Sequence, residues 1–242
     1  MTLDPAKDSS CVLALDWAEP SGSTAYDRSQ YGNNGTIYGA IRTKGIYSNA
    51  IQLDGIDDFI EIANSPSITI NNAITILLWV YWSESTACCL LQKKVIGTTD
   101  SSMEYSIIPK FWSSPYNYLT IINGTVISSG YYLEDLINLK EWSLIGIRYV
   151  GDAIAGSGNA HVDFVLNDKI ISTKPAPASI TNSGGTLLIG EHTSYGATSP
   201  LNGNCYFNGL IGSIRIYNRA LSEKGIRSLY YYGIKKLKKL PY

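Results

Sequence analysis

The sequence has few charged residues and few of the side chains that usually carry enzyme chemistry. Charged residues make up 16% of the 242 residues, below the usual share of about 25%. There are two histidines, and the formal net charge is −1. Nucleic-acid binding needs clustered cations, so we expect no nucleic-acid partner. The polar surface must instead come from Ser, Thr, Asn, Gly and the 18 tyrosines, which suits a binding face or a packed assembly.

Long apolar runs and an apolar leader are also missing. No run reaches the roughly 18–20 residues that a membrane-spanning helix needs, and Ile74–Trp82 has the length of a strand. The first residues, MTLDPAKDSS, contain no apolar signal-peptide core. Near the other end, four lysines crowd residues 235–242, which we interpret as a basic C-terminal tail. Their charges would complement the dipole of a helix end, and we expect no membrane contact through them.

What the chain does contain is a series of short strand patterns separated by turn residues. The predicted strands are Val12–Asp16, Thr36–Ile41, Ala50–Asp54, Phe59–Ile62, Ile74–Trp82, Cys89–Val95, Met103–Phe111, Tyr118–Ile122, Trp142–Val150, His161–Leu166, Lys169–Thr173, Leu187–Gly190 and Gly209–Tyr217. No repeat or linker divides them, so we predict a single domain over residues 1–234. Two packed antiparallel sheets, an all-β sandwich, are the economical arrangement for so many short strands.

Helical periodicity is found near the C-terminus, over Ser222–Tyr232. Ser222 is a suitable N-cap residue because its hydroxyl can accept a hydrogen bond from the first turn. Gly233 is a suitable C-terminal stop because glycine adopts the left-handed conformation that ends many helices. The sequence therefore predicts a short helix after the last strand.

The stretch that joins this strand and helix carries the most specific motif. Phe207–Tyr230 reads FNGLIGSIRIYNRALSEKGIRSLY. It resembles the closing strand of laminin-G-like domains of the concanavalin A-like lectin-glucanase superfamily, whose pattern is F-x-G-x-I-D-x-V-x-I-Y-N-R-A-L-S. Further motifs resemble the same family in the same order: Ala50–Ile62, Ile74–Val80, Glu141–Ile145, Val165–Ile171 and Leu187–Gly190. The resemblance implies a jelly-roll β-sandwich, a fold that carries lectins, adhesins, modules attached to enzymes and inert spacers.

The resemblance also implies a calcium site in the loop at residues 27–36. Members of the family are thought to hold a structural Ca²⁺ there, with an acid from the closing strand. In this chain Asp27 and Asn34 are the candidate ligands, while Gly212 stands where the family carries that acid. The alternative is an Asx-type turn whose side chains satisfy their own backbone.

A disulfide is a second expectation that depends on the family's topology. Cys88 and Cys89 are adjacent in a predicted strand, so their side chains point to opposite faces and pair poorly. Cys11 and Cys205 lie in the first and last strand regions, which a jelly roll brings together. We hypothesise that they form a bridge between the two ends of the domain.

Catalytic chemistry finds little support. A glycosidase needs two positioned carboxyl groups, and the E-x-D-x-x-E triplet of the glucanase relatives is missing. Glu61 with Asp57 and Asp58 is the nearest carboxylate cluster, and a turn explains it. His161 and His192 have no metal-binding or nucleophilic neighbours in sequence, and we interpret them as ordinary surface or hydrogen-bonded residues. We therefore predict no catalytic residues and no enzyme.

Two segments combine aromatic rings with amides, the mixture that captures sugars on loops over a rigid sheet. Trp112 and Tyr116 in the first, and Tyr195 in the second, would be stacking platforms. Asn117 and Asn204 would bind hydroxyl groups. The alternative for each aromatic residue is packing under its own loop or at a subunit interface.

These observations favour a non-catalytic binding module, a lectin or adhesion domain, that recognises glycan or protein at an extracellular surface or at the surface of a virion or other particle. With no export signal visible, the chain would reach that surface by another route, after loss of a leader, or within a particle. The alternative is a structural coat or assembly protein. It would form a homo-oligomer and bury its tyrosines between subunits. A glycoside hydrolase is a third reading.

Overall fold

The computed structural model describes residues 4–45, 49–84, 89–109, 118–193 and 205–237. Their strands are β1 (Cys11–Leu15), β2 (Thr24–Ala25), β3 (Gly35–Tyr38), β4 (Ile41–Lys44), β5 (Asn49–Asp54), β6 (Phe59–Ile62), β7 (Ala73–Trp82), β8 (Leu91–Lys94), β9 (Tyr105–Ile107), β10 (Leu119–Ile122), β11 (Thr125–Ser128), β12 (Trp142–Val150), β13 (His161–Leu166), β14 (Lys169–Pro175), β15 (Thr186–Ile189), β16 (Glu191–His192), β17 (Cys205–Tyr206) and β18 (Asn208–Tyr217). The α-helices are α1 (Asp152–Ala155) and α2 (Glu223–Leu237), and single 3₁₀ turns lie at Pro5–Lys7, Pro66–Ile68, Asp100–Ser102 and Leu133–Asp135.

The strands form two eight-stranded antiparallel sheets. Sheet A has the order β14-β13-β12-β7-β18-β5-β4, with β1 also paired to β18. Sheet B has the order β11-β10-β9-β8-β15-β6-β3-β2, and β16 and β17 form a separate two-stranded ribbon. The predicted all-β sandwich is confirmed.

Strand β7 shows why its sequence reads as one continuous apolar run. Ile74, Ile76, Leu78 and Val80 alternate into the core between the sheets. Leu77 and Trp79 point the other way, into a second apolar cluster that includes residues of α2. Because both faces are covered, neither set of alternating positions can be polar.

Helix α2 supplies the cover for that outer face of sheet A. The Ser222 hydroxyl accepts a hydrogen bond from the backbone N–H of Gly225 at 3.1 Å, which confirms the predicted N-cap. The rings of Tyr230 and Trp79 stack with centroids 5.4 Å apart. In the described part of the chain, no helix has the length and apolar character to span a membrane.

The predicted stop at Gly233 is wrong, because α2 continues through Gly233 to Leu237. Gly233 is buried, and Ile234 packs against the cluster beneath the helix. Glycine in a helix interior costs about 1 kcal/mol relative to alanine. Burial of the next turn offsets that cost, since packing contributes more to helix stability than propensity does.

The hypothesised bridge between Cys11 and Cys205 is also wrong, since both thiols are free and buried. Cys11 lies opposite Tyr217 at the C-terminal end of β18, whereas Cys205 precedes Asn208 at the other end. A strand rises roughly 3.3 Å per residue, so the two ends of β18 are about 30 Å apart. The first and last strands do pair, but in a register that separates these cysteines.

Candidate functional site

A stacked pair of aromatic rings lies on the outer side of sheet B. Tyr38 of β3 stands directly opposite Phe59 of β6, and their rings are 4.5 Å apart at an interplanar angle of 17°. Tyr38 is 41% exposed, while Ile60, the next residue after Phe59, points into the core. The strand alternation therefore places this stacked pair on the outer side of the sheet, where Tyr38 is the more exposed ring.

Glu61 lies on the same side of β6, two residues after Phe59. The Tyr38 hydroxyl donates a hydrogen bond to Oε2 of Glu61 at 3.2 Å. This bond and the adjacent negative charge raise the pKa of the Tyr38 hydroxyl. The half-buried carboxylate of Glu61 is thus held at the edge of the aromatic pair.

A second carboxyl group, the buried Glu191, lies in the ribbon formed by β16 and β17. Glu191 stands opposite Tyr206 in that ribbon, and the Tyr206 hydroxyl donates to Oε1 of Glu191 at 3.3 Å. Burial raises the pKa of Glu191; the bond from Tyr206 and the Lys94 charge lower it, and the charge of Glu61 raises it further. We call Tyr38, Phe59, Glu61, Glu191 and Tyr206 the acidic-aromatic face.

The acidic turn between β5 and β6 borders this face. Oδ1 of Asp58 is so close to Gly39, the residue after Tyr38, that a Cβ there would lie 1.9 Å from it. Candidate ligand atoms of Asp54, Asp57 and Asp58 lie within 4.8 Å of one another.

Hydrogen bonds within the turn hold two of these three carboxylates. Oδ1 of Asp54 accepts from the backbone N–H of Ile56 at 2.8 Å. Oδ2 of Asp58 accepts from the N–H of Asp54 at 3.0 Å. Burial raises the pKa of Asp58; the hydrogen bond from Asp54 lowers it, and the charges of Asp54 and Asp57 raise it.

The predicted glycan contacts Trp112, Tyr116, Asn117, Tyr195 and Asn204 all lie outside the described residues. The structure does show where their segments begin and end. Segment 194–204 connects Thr193 to Cys205, and segment 110–117 connects Pro109 to Tyr118. Ile108 and Leu119, which flank the latter, pair in an isolated bridge and pack in one buried cluster with Cys89 and Cys205. The ends of both segments therefore meet at one place, beside the ribbon that carries Glu191.

Buried polar side chains hold the start of segment 194–204. The Lys94 ammonium lies 3.4 Å from Oδ1 of Asp100 and also donates to the carbonyl of Thr193.

His192 is fully buried, with Nε2 at 3.3 Å from the same carboxylate oxygen of Asp100, and within the described chain neither of its ring nitrogens has a hydrogen-bond partner. Our interpretation of His192 as a surface or hydrogen-bonded residue is wrong, because strand pairing with Cys205 turns it inward. His161 is half-buried, with Nδ1 at 2.9 Å from the Asn159 carbonyl.

Asp27 and Asn34 occupy the loop implied as a calcium site, and they do not fit a cation. Oδ1 of Asp27 accepts from the backbone N–H of Ala14 at 2.8 Å and of Ser29 at 2.9 Å. Its Oδ2 accepts from the Ser29 hydroxyl at 2.6 Å and from the N–H of Asn33 at 2.9 Å. Oδ1 of Asn34 accepts from the N–H of Asp27 at 2.9 Å. Hydrogen-bond donors already occupy the lone-pair directions of these oxygens, which a bound calcium ion would need. This is the arrangement of the Asx-turn alternative.

The fold defines a jelly-roll β-sandwich with an outer face that combines carboxylates and aromatic rings. A laminin G family model, described as the concanavalin A-like lectin/glucanases superfamily, matches residues 54–227. The chain belongs to this superfamily. A search of curated proteins finds no match.

Solved structures of the same fold cover most of the chain. Domain 4 of AbnA, an extracellular arabinanase from Geobacillus stearothermophilus solved with arabinotriose, is 15% identical with a TM-score of 0.67, over 91% of this chain and 98% of that domain. The binding domain of Paraclostridial mosquitocidal protein 1 is 16% identical with a TM-score of 0.63, over 91% of this chain and 52% of that chain. The binding domain of botulinum neurotoxin DC, solved with rat synaptotagmin II, is 16% identical with a TM-score of 0.60, over 93% of this chain and 52% of that chain. The chain spans about half the length of these toxin chains.

Proposed function

We propose that this protein is a non-catalytic binding module that recognises glycans through the acidic-aromatic face. The observation that carries the proposal is the exposed Tyr38 ring, stacked on Phe59 and hydrogen-bonded to the Glu61 carboxylate. A sugar presents C–H groups on its ring faces and hydroxyl groups at its edge. The aromatic pair suits the first and the carboxylate suits the second, so one residue group offers both contacts.

The neighbouring loop segments would extend this surface. Segment 194–204, which contains Tyr195 and Asn204, begins two residues after His192 and ends at the partner strand of Glu191. Binding sites on β-sandwiches use loops that a rigid sheet positions. We propose that Tyr195 and Asn204, together with Trp112, Tyr116 and Asn117, add contacts beside the acidic-aromatic face.

The comparisons support a binding role without naming the ligand. The arabinanase domain was solved with a trisaccharide and the neurotoxin domain with a protein, and their low identity to this chain carries over the fold alone. Either ligand class implies a module that works where partners are accessible, at an extracellular or particle surface. We favour glycan because the described face has the chemistry that sugars need.

The test is a glycan array followed by calorimetry on the hits, comparing wild type with Tyr38→Ala. Tyr231→Ala is the matched control, since Tyr231 is also an exposed tyrosine, 47% exposed, but lies on α2 on the opposite side of the sandwich. We expect binding that Tyr38→Ala weakens about 5- to 150-fold, because a stacking platform contributes about 1–3 kcal/mol. No saccharide binding, or equal effects of both variants, would contradict the proposal.

A protein partner or a second copy of the chain is the alternative that one other surface favours. Large apolar side chains are exposed on and after the edge strand β11: Val126, Tyr131, Tyr132, Leu136 and Leu139. An apolar surface beside an unpaired strand edge suits assembly. Light scattering separates the readings, because a stable oligomer that binds no sugar supports a coat or assembly protein.

The pair formed by Glu61 and Glu191 keeps glycoside hydrolysis as a further candidate. The charge of Glu61 acts on Glu191, and burial raises the pKa of Glu191. Acid catalysis of glycosidic cleavage likewise uses one carboxyl group of raised pKa and a second carboxylate. Incubation with the array hits and an assay for released reducing sugar tests it. Release that both Glu61→Gln and Glu191→Gln abolish would establish catalysis and overturn the non-catalytic reading.

A further inference from the structure

We propose that the acidic-aromatic face selects saccharides that carry a protonated amine and rejects saccharides that carry carboxylates or sulfates. This inference rests on the proposed glycan-binding function and specifies its ligand class. The evidence for it is the charge around the Tyr38–Phe59 pair, and not the stacking of the two rings.

Carboxylates lie at the hydroxyl end of the Tyr38 ring and in the acidic turn that approaches the next residue, Gly39. Glu61 is hydrogen-bonded to the Tyr38 hydroxyl, and its charge reaches Glu191 across the face. In the turn between β5 and β6, Asp54 and Asp57 are exposed, and the buried Asp58 lies against Gly39, next to Tyr38. An anionic ligand on the ring would therefore meet like charge from Glu61 and from the neighbouring acidic turn.

Lys94, whose charge acts on Glu191, is already paired with buried oxygens. Lys94 affects Glu191 electrostatically, but its side chain has no exposure, and its ammonium contacts Asp100 and the carbonyls of Thr98 and Thr193. It is therefore bound to buried oxygens and does not present its charge to a ligand on Tyr38.

An ammonium group fits the remaining chemistry. The electron-rich face of a tyrosine ring attracts a cation, and flanking carboxylates accept its N–H bonds. Tyr38 provides the ring surface, Glu61 provides an acceptor at its hydroxyl, and the exposed Asp57 lies in the neighbouring acidic turn. A glucosamine unit carries the required amine on a ring that can still stack.

The experiment compares three matched tetrasaccharides by calorimetry: β-1,4-linked glucosamine, its N-acetylated form, and a galacturonic acid tetramer, at a pH where amines are protonated and carboxylates ionised. We expect the glucosamine tetramer to bind about three- to tenfold tighter than the acetylated form, the range for one or two partly exposed charge pairs. The uronate should bind weakest. Added salt should reduce the preference for the amine.

Variants assign the preference to named carboxylates. Glu61→Gln keeps the size of the side chain and should bring the ratio of the two glucosamine-based ligands close to one, while Asp57→Asn, at an exposed position, should lower it partly. Tyr231→Ala should leave it unchanged. Equal binding of the amine and acetyl forms, tighter binding of the uronate, or no binding of the glucosamine tetramer overturns the inference. If Tyr38→Ala still abolishes binding of other glycans in those cases, the proposed function stands; if no glycan binds, both fail.

Discussion

The ammonium of Lys93 lies 2.6 Å from a carboxylate oxygen of Glu104, and neither side chain is exposed. Lys93 points to the same side of sheet B as Tyr105 and Leu187, which stand beside it in the core. Burial lowers the pKa of Lys93, and the bond to Glu104 opposes that shift. The other oxygen of Glu104 accepts from the backbone N–H of Ser183 at 3.0 Å and of Gly185 at 3.1 Å. One carboxylate thus joins β8 to the segment that leads into β15.

Glu104→Ala should lower the free energy of unfolding by about 3–5 kcal/mol, because it leaves the Lys93 charge buried and unpaired. Urea titration monitored by circular dichroism measures the change. The exposed Glu141→Ala should stay within about 0.5 kcal/mol of wild type. The double variant Lys93→Met with Glu104→Gln should recover part of the loss, because no buried charge remains. A single-variant loss below about 1 kcal/mol would contradict the buried pair.

Glu191→Gln should stabilise the unliganded protein at neutral pH. The folded state raises the pKa of Glu191 above its ordinary value of 4.5. Between the unfolded and the folded pKa the native state binds more protons, so stability falls as pH rises through that window. Glutamine removes this loss, and its advantage should vanish below pH 4.5, where the wild-type carboxyl is protonated in both states. Unfolding free energies at pH 4 and pH 7.5 test this, with Glu141→Gln as control.

The described cysteines should react slowly with thiol reagents in the native protein. Burial raises the pKa of Cys11 and of Cys205 to about 12, and that of Cys89 well above its ordinary value. The thiolate is the reactive form, so alkylation at pH 8 should be at least about tenfold slower than in urea. Peptide mass spectrometry on native and unfolded samples measures each site. A peptide bridged between Cys11 and Cys205 would contradict the structure.

Asn167 should tolerate glycine better than alanine. It occupies the two-residue turn between β13 and β14 with φ of 56°, and its Oδ1 accepts from the N–H of Leu144 at 3.0 Å. Asn167→Gly loses the side-chain bond, worth about 0.5–1.5 kcal/mol. Asn167→Ala loses the same bond, and the left-handed conformation of alanine lowers the free energy of unfolding by a further ~1–2 kcal/mol. Urea titration of both variants gives the order, and a more stable alanine variant would argue against this turn.

The strands that the sequence predicted best are the ones whose alternation continues without interruption. Trp142–Val150, His161–Leu166 and Phe59–Ile62 have the predicted bounds, because alternate residues pack into the core between the sheets and turn residues follow their ends. Short strands such as β2 and β16 were missed, since two residues contain no period. The predicted Met103–Phe111 begins two residues later, at Tyr105, and is described as a strand to Ile107 with a bridge at Ile108. Its predicted end, Phe111, lies outside the described residues.

The candidate site could be predicted only in part. Glu61 was noticed as a carboxylate and assigned to a turn, but its contact with Tyr38 depends on the pairing of β3 with β6. Glu191 and Tyr206 are far apart in the chain and meet only through the ribbon of β16 and β17. The buried state of Lys93 and Lys94 was likewise hidden, because two adjacent lysines in sequence are typical of a solvated position.

Helix α2 packs outside sheet A over Leu77 and Trp79, and this gives the molecule a back and a front. Lys224 is exposed on that helix, on the side opposite Tyr38. A dye, a bead or a sensor surface attached at Lys224 would leave sheet B facing the solution. The same attachment at the acidic turn would cover the outer side of sheet B. The orientation of the immobilised protein should therefore decide whether a ligand is captured.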